Sequence, residues 1–322
     1  MTRTRAQRRK LTRKSQLLLI LILLVVGFAG VYSFSRNTPI QGEKMEVPKL
    51  STPFIDSSID VPTIKGHSAI LLNASTDEIL MEQNADIPFP VASMSKMMTE
   101  YIVQEQITNG KLAWDDLITM SHHANDIDSR AVKIYVNEDD VLTVEDLYSA
   151  MVIHSANNAT VALAEHIAGS EKRFAKLMND TAKKMGLSSK THFVNSTGLS
   201  NKDGSENMMT AKDAALLANA LLQDFPDVLE TTKLLEYKLA YDGTILRNSN
   251  AMLYPENQNV YYQPVDGLKT GFTETAGYCF TGTAQLGDTR LTSVVMGTKS
   301  EDARFLETHK LLSFGFKHFG ND

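Results

Sequence analysis

The sequence predicts an α/β fold of the α+β kind, a sheet whose edge strand comes from the start of the folded part with a helical cluster beside it. Three observations predict it. Two short apolar runs at 68–73 and 78–82 flank the turn cluster Ser75-Thr76-Asp77 and read as a β-hairpin. Helical patterns with capping residues fill the middle of the chain up to Leu222. Strand patterns at 278–284 and 291–297 then precede an amphipathic helix that closes the chain.

The 322 residues are 43% hydrophobic and 22% charged, the make-up of a folded protein. Their net charge of −6 hides an asymmetry. Seven of the 32 basic residues (Arg3, Arg5, Arg8, Arg9, Lys10, Arg13 and Lys14) stand in the first fourteen positions, which hold no acid, so the remainder sets 25 basic against 38 acidic residues. A body this acidic does not suit nucleic acid, which rewards basic patches. The tail at 1–14 runs into an apolar stretch from Leu17 to Tyr32 that has no polar face. Residues 15–34 therefore read as a signal-anchor, or as a signal peptide cleaved near Gly27 and Ala29. Either way the basic tail stays in the cytoplasm and the body lies outside it, on a single-pass membrane anchor or secreted. Residues 35–65 are polar with scattered prolines and read as a stalk, which leaves 66–322 as the folded domain.

Along that domain, Pro88 and Pro90 stop the hairpin and lead into a helix at Ser93. Its pairs Met97/Tyr101 and Met98/Ile102 form an apolar stripe at i, i+4, with the methionines as core filling, and Asn109-Gly110 ends it. Residues 112–141 give only helix pieces and loops. A firmer helix follows Thr143, its cap, breaks at 154–158, and resumes over 159–168 up to Gly169. Helices at 171–185, closed by Gly186, and at 211–222, capped by Thr210 with Asp213 three on, bracket a loop at 191–199. Lys269-Thr270-Gly271 stands at the start of the next strand, and 301–318 is the last helix, with Gly315 as a candidate early end. Cys279 is the sole cysteine, which forbids an internal disulfide and suits a small buried side chain. His122 and His123 have no cysteine nearby and read as surface polar residues between two helices, not as metal ligands.

Chemistry enters through three short motifs. Ser93 and Lys96 stand one helical turn apart, on one face. A serine needs a neighbouring base, and a lysine serves when burial or a second cation lowers its pKa. Alone, such a pair is indistinguishable from a capping serine followed by a solvated lysine. Ser155-Ala156-Asn157 lies at the helix break, where side chains can reach into a cleft, relay a proton and hold a substrate amide; alone it would be a cap. In Lys269-Thr270-Gly271 the glycine admits a close ligand backbone and the other two suit a carboxylate; alone it would be an exposed lysine beside a turn. Order and spacing change their weight: S-x-x-K, S-x-N about 60 residues on, and K-T-G about 110 beyond that.

With these motifs stand the stretches 90–99 and 265–278, the 195–199 loop, Arg247-Asn248-Ser249-Asn250 and the helix around Arg304. On them, residues 60–320 resemble the serine-type D-alanyl-D-alanine carboxypeptidases, the low-molecular-weight penicillin-binding proteins. The resemblance implies a β-lactamase/transpeptidase-like fold: an antiparallel sheet flanked by helices plus a helical cluster, with the active site between them. It implies removal of the terminal D-alanine from peptidoglycan stem pentapeptides through an acyl-enzyme, β-lactams as covalent inhibitors, and no metal or cofactor. By it Ser93 is the nucleophile and Lys96 its base. Ser155 and Asn157 shuttle a proton and hold the peptide. Lys269, Thr270 and Gly271 form the substrate strand, with Arg304 at the terminal carboxylate. Lys269 is expected close enough to Lys96 to lower its pKa. The Ser93 N–H is one expected oxyanion donor and the strand after Gly271 supplies the other. Ala156 and Phe272 depart from the family pattern, and Phe272, where histidine is common, bears on substrate preference and rate. The N-terminal segment is expected to supply the tether that a C-terminal amphipathic helix gives many relatives.

A class A β-lactamase would need a glutamate with asparagine four residues on. Of Glu165, Glu171, Glu206, Glu230, Glu236 and Glu256, none has it, so acylation by penicillin is expected to be long-lived. A non-enzymatic wall-binding or β-lactam-sensing module would not need both lysines. A D,D-endopeptidase would use the same site and stays an alternative.

Overall fold

Residues 60–320 are described by the computed structural model. The hairpin forms as β1 (Ser68–Asn73) and β2 (Glu78–Gln83). Three long strands from the end of the domain complete its sheet: β3 (Val265–Thr273), β4 (Gly277–Leu286) and β5 (Thr289–Thr298). The order is β2-β1-β5-β4-β3 with every pairing antiparallel, so a chain-start hairpin supplies one edge as the sequence predicts. Because side chains alternate across a strand, the sheet buries two faces separately. Ile70, Leu72, Val294 and Met296 join the core under the middle helices. Ala69, Leu71, Leu291 and Val295 pack instead with Phe305, Leu311, Leu312 and Phe314 of the last helix.

The longer helices are α1 (Lys96–Thr108), α2 (Val144–Ile153), α3 (Asn157–Ala168), α4 (Glu171–Lys184), α5 (Ala211–Asp224) and α6 (Glu301–Phe319). The predicted caps form: Thr143 Oγ1 accepts from Asp146 N–H and Thr210 Oγ1 from Asp213 N–H. Gly169, at φ +73°, ends α3 in the left-handed conformation. A separate core of Val103, Leu147, Met151, Ala159 and Leu163 unites α1, α2 and α3 into the helical cluster.

Several expectations need correction. Lys269-Thr270-Gly271 does not open the strand at 278–284. It lies within β3, whose Thr270 and Gly271 pair with Phe280 and Cys279 of β4. Almost every residue from Val265 to Gly271 is buried, so β3 has no period-2 alternation to betray it. Gly315 does not end α6, which runs on to Phe319 with Gly315 buried against Leu71 and Leu291. The second helix begins two residues early, at Asn157, whose backbone N–H goes to the Val132 carbonyl. The 112–141 region contains a strand, Leu117–Thr119, that pairs with Val141–Thr143. His122 and His123 sit within a one-turn helix, beside Glu138 and Glu171 respectively. Ile64 is buried and its N–H binds the Gln83 side chain. The predicted tail and membrane segment, and the stalk up to residue 59, lie outside the described residues, among which no helix is long and apolar enough to cross a membrane.

Candidate active site

Ser93 lies in a single 3₁₀ turn, Ala92–Ser95, that feeds directly into α1. The turn is anchored by fully buried Val91 and Met94, and Ser95 Oγ donates back to the Ala92 carbonyl at 2.7 Å. Ala92 holds φ at +48°, an unfavourable conformation for a residue with a Cβ, and the packing imposes it. Lys96 is 1% exposed, and its Nζ stands 2.9 Å from Ser93 Oγ, 2.8 Å from Asn157 Oδ1 and 2.8 Å from the Thr197 carbonyl.

Burial pushes the Lys96 amine well below the ordinary lysine value, and the positive charge of Lys269 adds to this, while Glu171 opposes it. A neutral amine has two N–H donors and one lone pair. Asn157 Oδ1 and the Thr197 carbonyl can only accept, so they take both donors and leave the lone pair toward Ser93. Asn157 cannot rotate to offer its amide instead, because Nδ2 is donated to the Val132 carbonyl at 2.9 Å. Such a lysine can take the proton of an attacking serine hydroxyl.

The other motifs arrive from two directions. Ser155 sits between α2 and α3 at φ +64°, again left-handed for a residue with a side chain, and is nearly buried. On the sheet side, Lys269 is 1% exposed and its pKa falls to about 7, first through burial and then through Arg304, against the pull of Glu100. Gly271 brings β3 onto the Ser93 turn: a Cβ there would stand 2.8 Å from the Val91 carbonyl oxygen and 3.2 Å from Met94 N. Buried Arg304 reaches the Gly271 carbonyl with Nη1 at 3.4 Å and Glu301 with Nη2 at 2.7 Å. Phe272, 44% exposed, tilts against Tyr278 with ring centroids 4.3 Å apart. The structure thus gathers Ser93, Lys96 and Asn157 in direct contact, with Lys269 electrostatically coupled to Lys96. Thr270, Gly271 and Arg304 line the adjoining strand. The hydroxyl of Ser155 joins none of these hydrogen bonds, and Asn157 two residues on is what ties its segment to Lys96.

Residues 56–300 match the profile of peptidase S11, described as D-alanyl-D-alanine carboxypeptidase. The chain belongs to the peptidase S11 family. It is 35% identical over 268 residues to the D-alanyl-D-alanine carboxypeptidase DacC of Escherichia coli, covering 82% of this chain and 64% of that one. It is 32% identical over 255 residues to DacF of Bacillus subtilis, covering 78% and 62%. The chain therefore spans just under two thirds of the length of these curated relatives. Among solved structures, the ampicillin-bound penicillin-binding protein D2 of Listeria monocytogenes aligns with a TM-score of 0.72 and 38% identity, over 80% of this chain and all of that one.

This S11 member also carries site neighbours that sequence reasoning missed. Glu100, one turn after Lys96 on α1, is buried and accepts from Tyr148 Oη at 2.8 Å. Burial raises its pKa to about 7, with Tyr148 and Lys269 holding it down. Ser249, in the run 247–250, bonds Thr270 Oγ1 at 2.7 Å through its hydroxyl and the Ile153 carbonyl through its N–H. It thereby ties the end of α2, just before Ser155, to β3. The Thr197 carbonyl is invisible to motif reading because a backbone oxygen leaves no residue signature. For Glu100 the signal existed: it stands four residues after Lys96, on the same face of α1.

Proposed function

We propose that this S11 member is a serine-type D-alanyl-D-alanine carboxypeptidase acting on peptidoglycan stem peptides. The observation that carries the reading is the buried Lys96 amine 2.9 Å from Ser93 Oγ. Ser93 attacks the carbonyl of the penultimate D-alanine while Lys96 takes its proton. The Ser93 N–H and the N–H of the strand after Gly271 receive the oxyanion. Ser155 passes a proton to the departing D-alanine amine, and Asn157 holds the peptide. Lys269, Thr270 and Arg304 receive the terminal carboxylate, and Gly271 lets the extended peptide lie against β3. Water then attacks the acyl-enzyme, with Lys96 again as base. A β-lactam acylates Ser93 in the same way and leaves slowly. The 15–34 segment tethers the domain to the outer face of the cell membrane, where the substrate is.

Incubation with a stem pentapeptide tests the reading by release of free D-alanine, alongside labelling by a fluorescent penicillin. Stable labelling with D-alanine release is expected. Labelling that decays within seconds would make the protein a β-lactamase. Labelling without release, with crosslinked dimers cut instead, would make it an endopeptidase, and no labelling at all a binding module.

A further inference from the structure

The 195–199 loop brings the Thr197 carbonyl to 2.8 Å from Lys96 Nζ. That carbonyl is held by its neighbours. Asn195 Oδ1 accepts from the N–H groups of Thr197 and Gly198 at 3.2 and 2.8 Å. The Ser196 carbonyl accepts from Thr99 Oγ1 at 2.9 Å. Ser196 itself is gripped from α4: its N–H and Oγ both donate to Glu171 Oε1, at 3.1 and 2.6 Å. Glu171 Oε2 faces His123 Nε2 at 3.3 Å. Ser196, the residue before Thr197, is thus fastened to Glu171, the first residue of α4.

We propose that Glu171 is a positioning residue for acylation: by clamping Ser196 it holds the Thr197 carbonyl on one N–H of neutral Lys96, which turns the remaining lone pair toward Ser93 Oγ. The inference rests on Lys96 being the base for Ser93. Two of the three groups around Lys96 Nζ are pure acceptors, so withdrawing one lets the amine turn an N–H to Ser93, and the base becomes a donor. The charges facing Lys96 are Lys269 from β3 and Glu171 from α4, while the contacts from α3 and the loop are neutral.

The test is the second-order rate of acylation by a fluorescent penicillin as a function of pH, on the full chain and on its Glu171→Ala and Glu171→Gln variants, with thermal melting as a folding check. Glu171→Ala frees the loop and is expected to slow acylation about tenfold or more, since an ångström of misplacement costs up to about a hundredfold. Glu171→Gln keeps an acceptor for both Ser196 donors and is expected to restore the alkaline plateau to within about threefold. It also removes the negative charge that helps Lys96 keep its proton, so its acid limb moves to lower pH. A Glu171→Ala rate equal to wild type, a Glu171→Gln plateau as low as that of Glu171→Ala, or an acid limb unmoved in Glu171→Gln overturns the proposal. If Glu171→Ala melts below the assay temperature, the limb of Glu171→Gln decides alone. Failure of the wild-type chain to be labelled would count against the serine peptidase reading itself, not against the role of Glu171.

Discussion

Lys269 and Lys96 are buried amines of one interior, each 1% exposed, and the charge of Lys269 drives the Lys96 pKa further down than burial alone does. The two come from β3 and α1, at opposite ends of the domain in sequence. A cation among apolar neighbours destabilises a second cation strongly, because little solvent screens the pair. Lys269→Met removes that repulsion while filling similar space. Lys96 then keeps its proton to higher pH, so the acid limb of the acylation rate should move upward, opposite to Glu171→Gln. A limb that stays in place, measured by fluorescent penicillin from about pH 5 to 10, would show that burial alone sets the base.

Ser93→Ala removes the hydroxyl that accepts the acyl group. Both penicillin labelling and D-alanine release should vanish while the melting temperature stays near wild type, because Ser93 is only half-buried and its hydroxyl bonds the Lys96 amine. Residual covalent labelling, located by mass spectrometry, would assign the nucleophile elsewhere.

Lys96→Ala should slow acylation by about 10²–10⁴-fold, the usual contribution of a positioned base. It leaves the Thr197 carbonyl and Asn157 Oδ1 without their shared donor, so a modest fall in melting temperature accompanies the loss. Circular dichroism should nevertheless show the fold retained. A rate within threefold of wild type would remove Lys96 from the chemistry.

Arg304→Ala tests the carboxylate end of the proposed site. Arg304 is 4% exposed, and its guanidinium touches the Gly271 carbonyl and lies over the Phe305 ring at 4.7 Å. Loss of a charge-assisted contact to the substrate carboxylate should raise KM for D-alanyl-D-alanine peptides roughly tenfold or more. An unchanged KM would deny Arg304 its carboxylate role.

Gly198→Ala tests the seating of the loop against the nucleophile turn. Gly198 holds φ at +81°, and a Cβ there would run into the Ala92 carbonyl and Ser95 Oγ. The loop must lift to make room, which costs about 1–3 kcal/mol of stability and withdraws the Thr197 carbonyl from Lys96. Slower acylation and a lower melting temperature should appear together. Wild-type kinetics would mean that the turn tolerates a displaced loop.

Much of this was legible because it is written in local patterns. The hairpin at 68–83, the caps Thr143 and Thr210, and the stop at Gly169 each depend on a few neighbouring residues, and each forms where the sequence predicts it. β3 is not legible in this way, for the opposite reason. A strand buried on both faces shows no alternation, and its lysine, threonines and glycines imitate a turn. Gly315 misled similarly: a glycine in a helix signals an end only when no neighbour needs its space, and here Leu71 and Leu291 do.

By itself the sequence determined which chemical groups are available: a hydroxyl and an amine one turn apart, a second amine in a K-T-G run, and the order that marks the peptidase family. Only the tertiary structure decided how those groups behave. The depressed pKa of Lys96 and the aim of its lone pair depend on burial, on Lys269, and on acceptors from α3 and the 195–199 loop, all brought close by packing. A proton's affinity is set by everything within a few ångströms, and most of what surrounds Lys96 is distant along the chain.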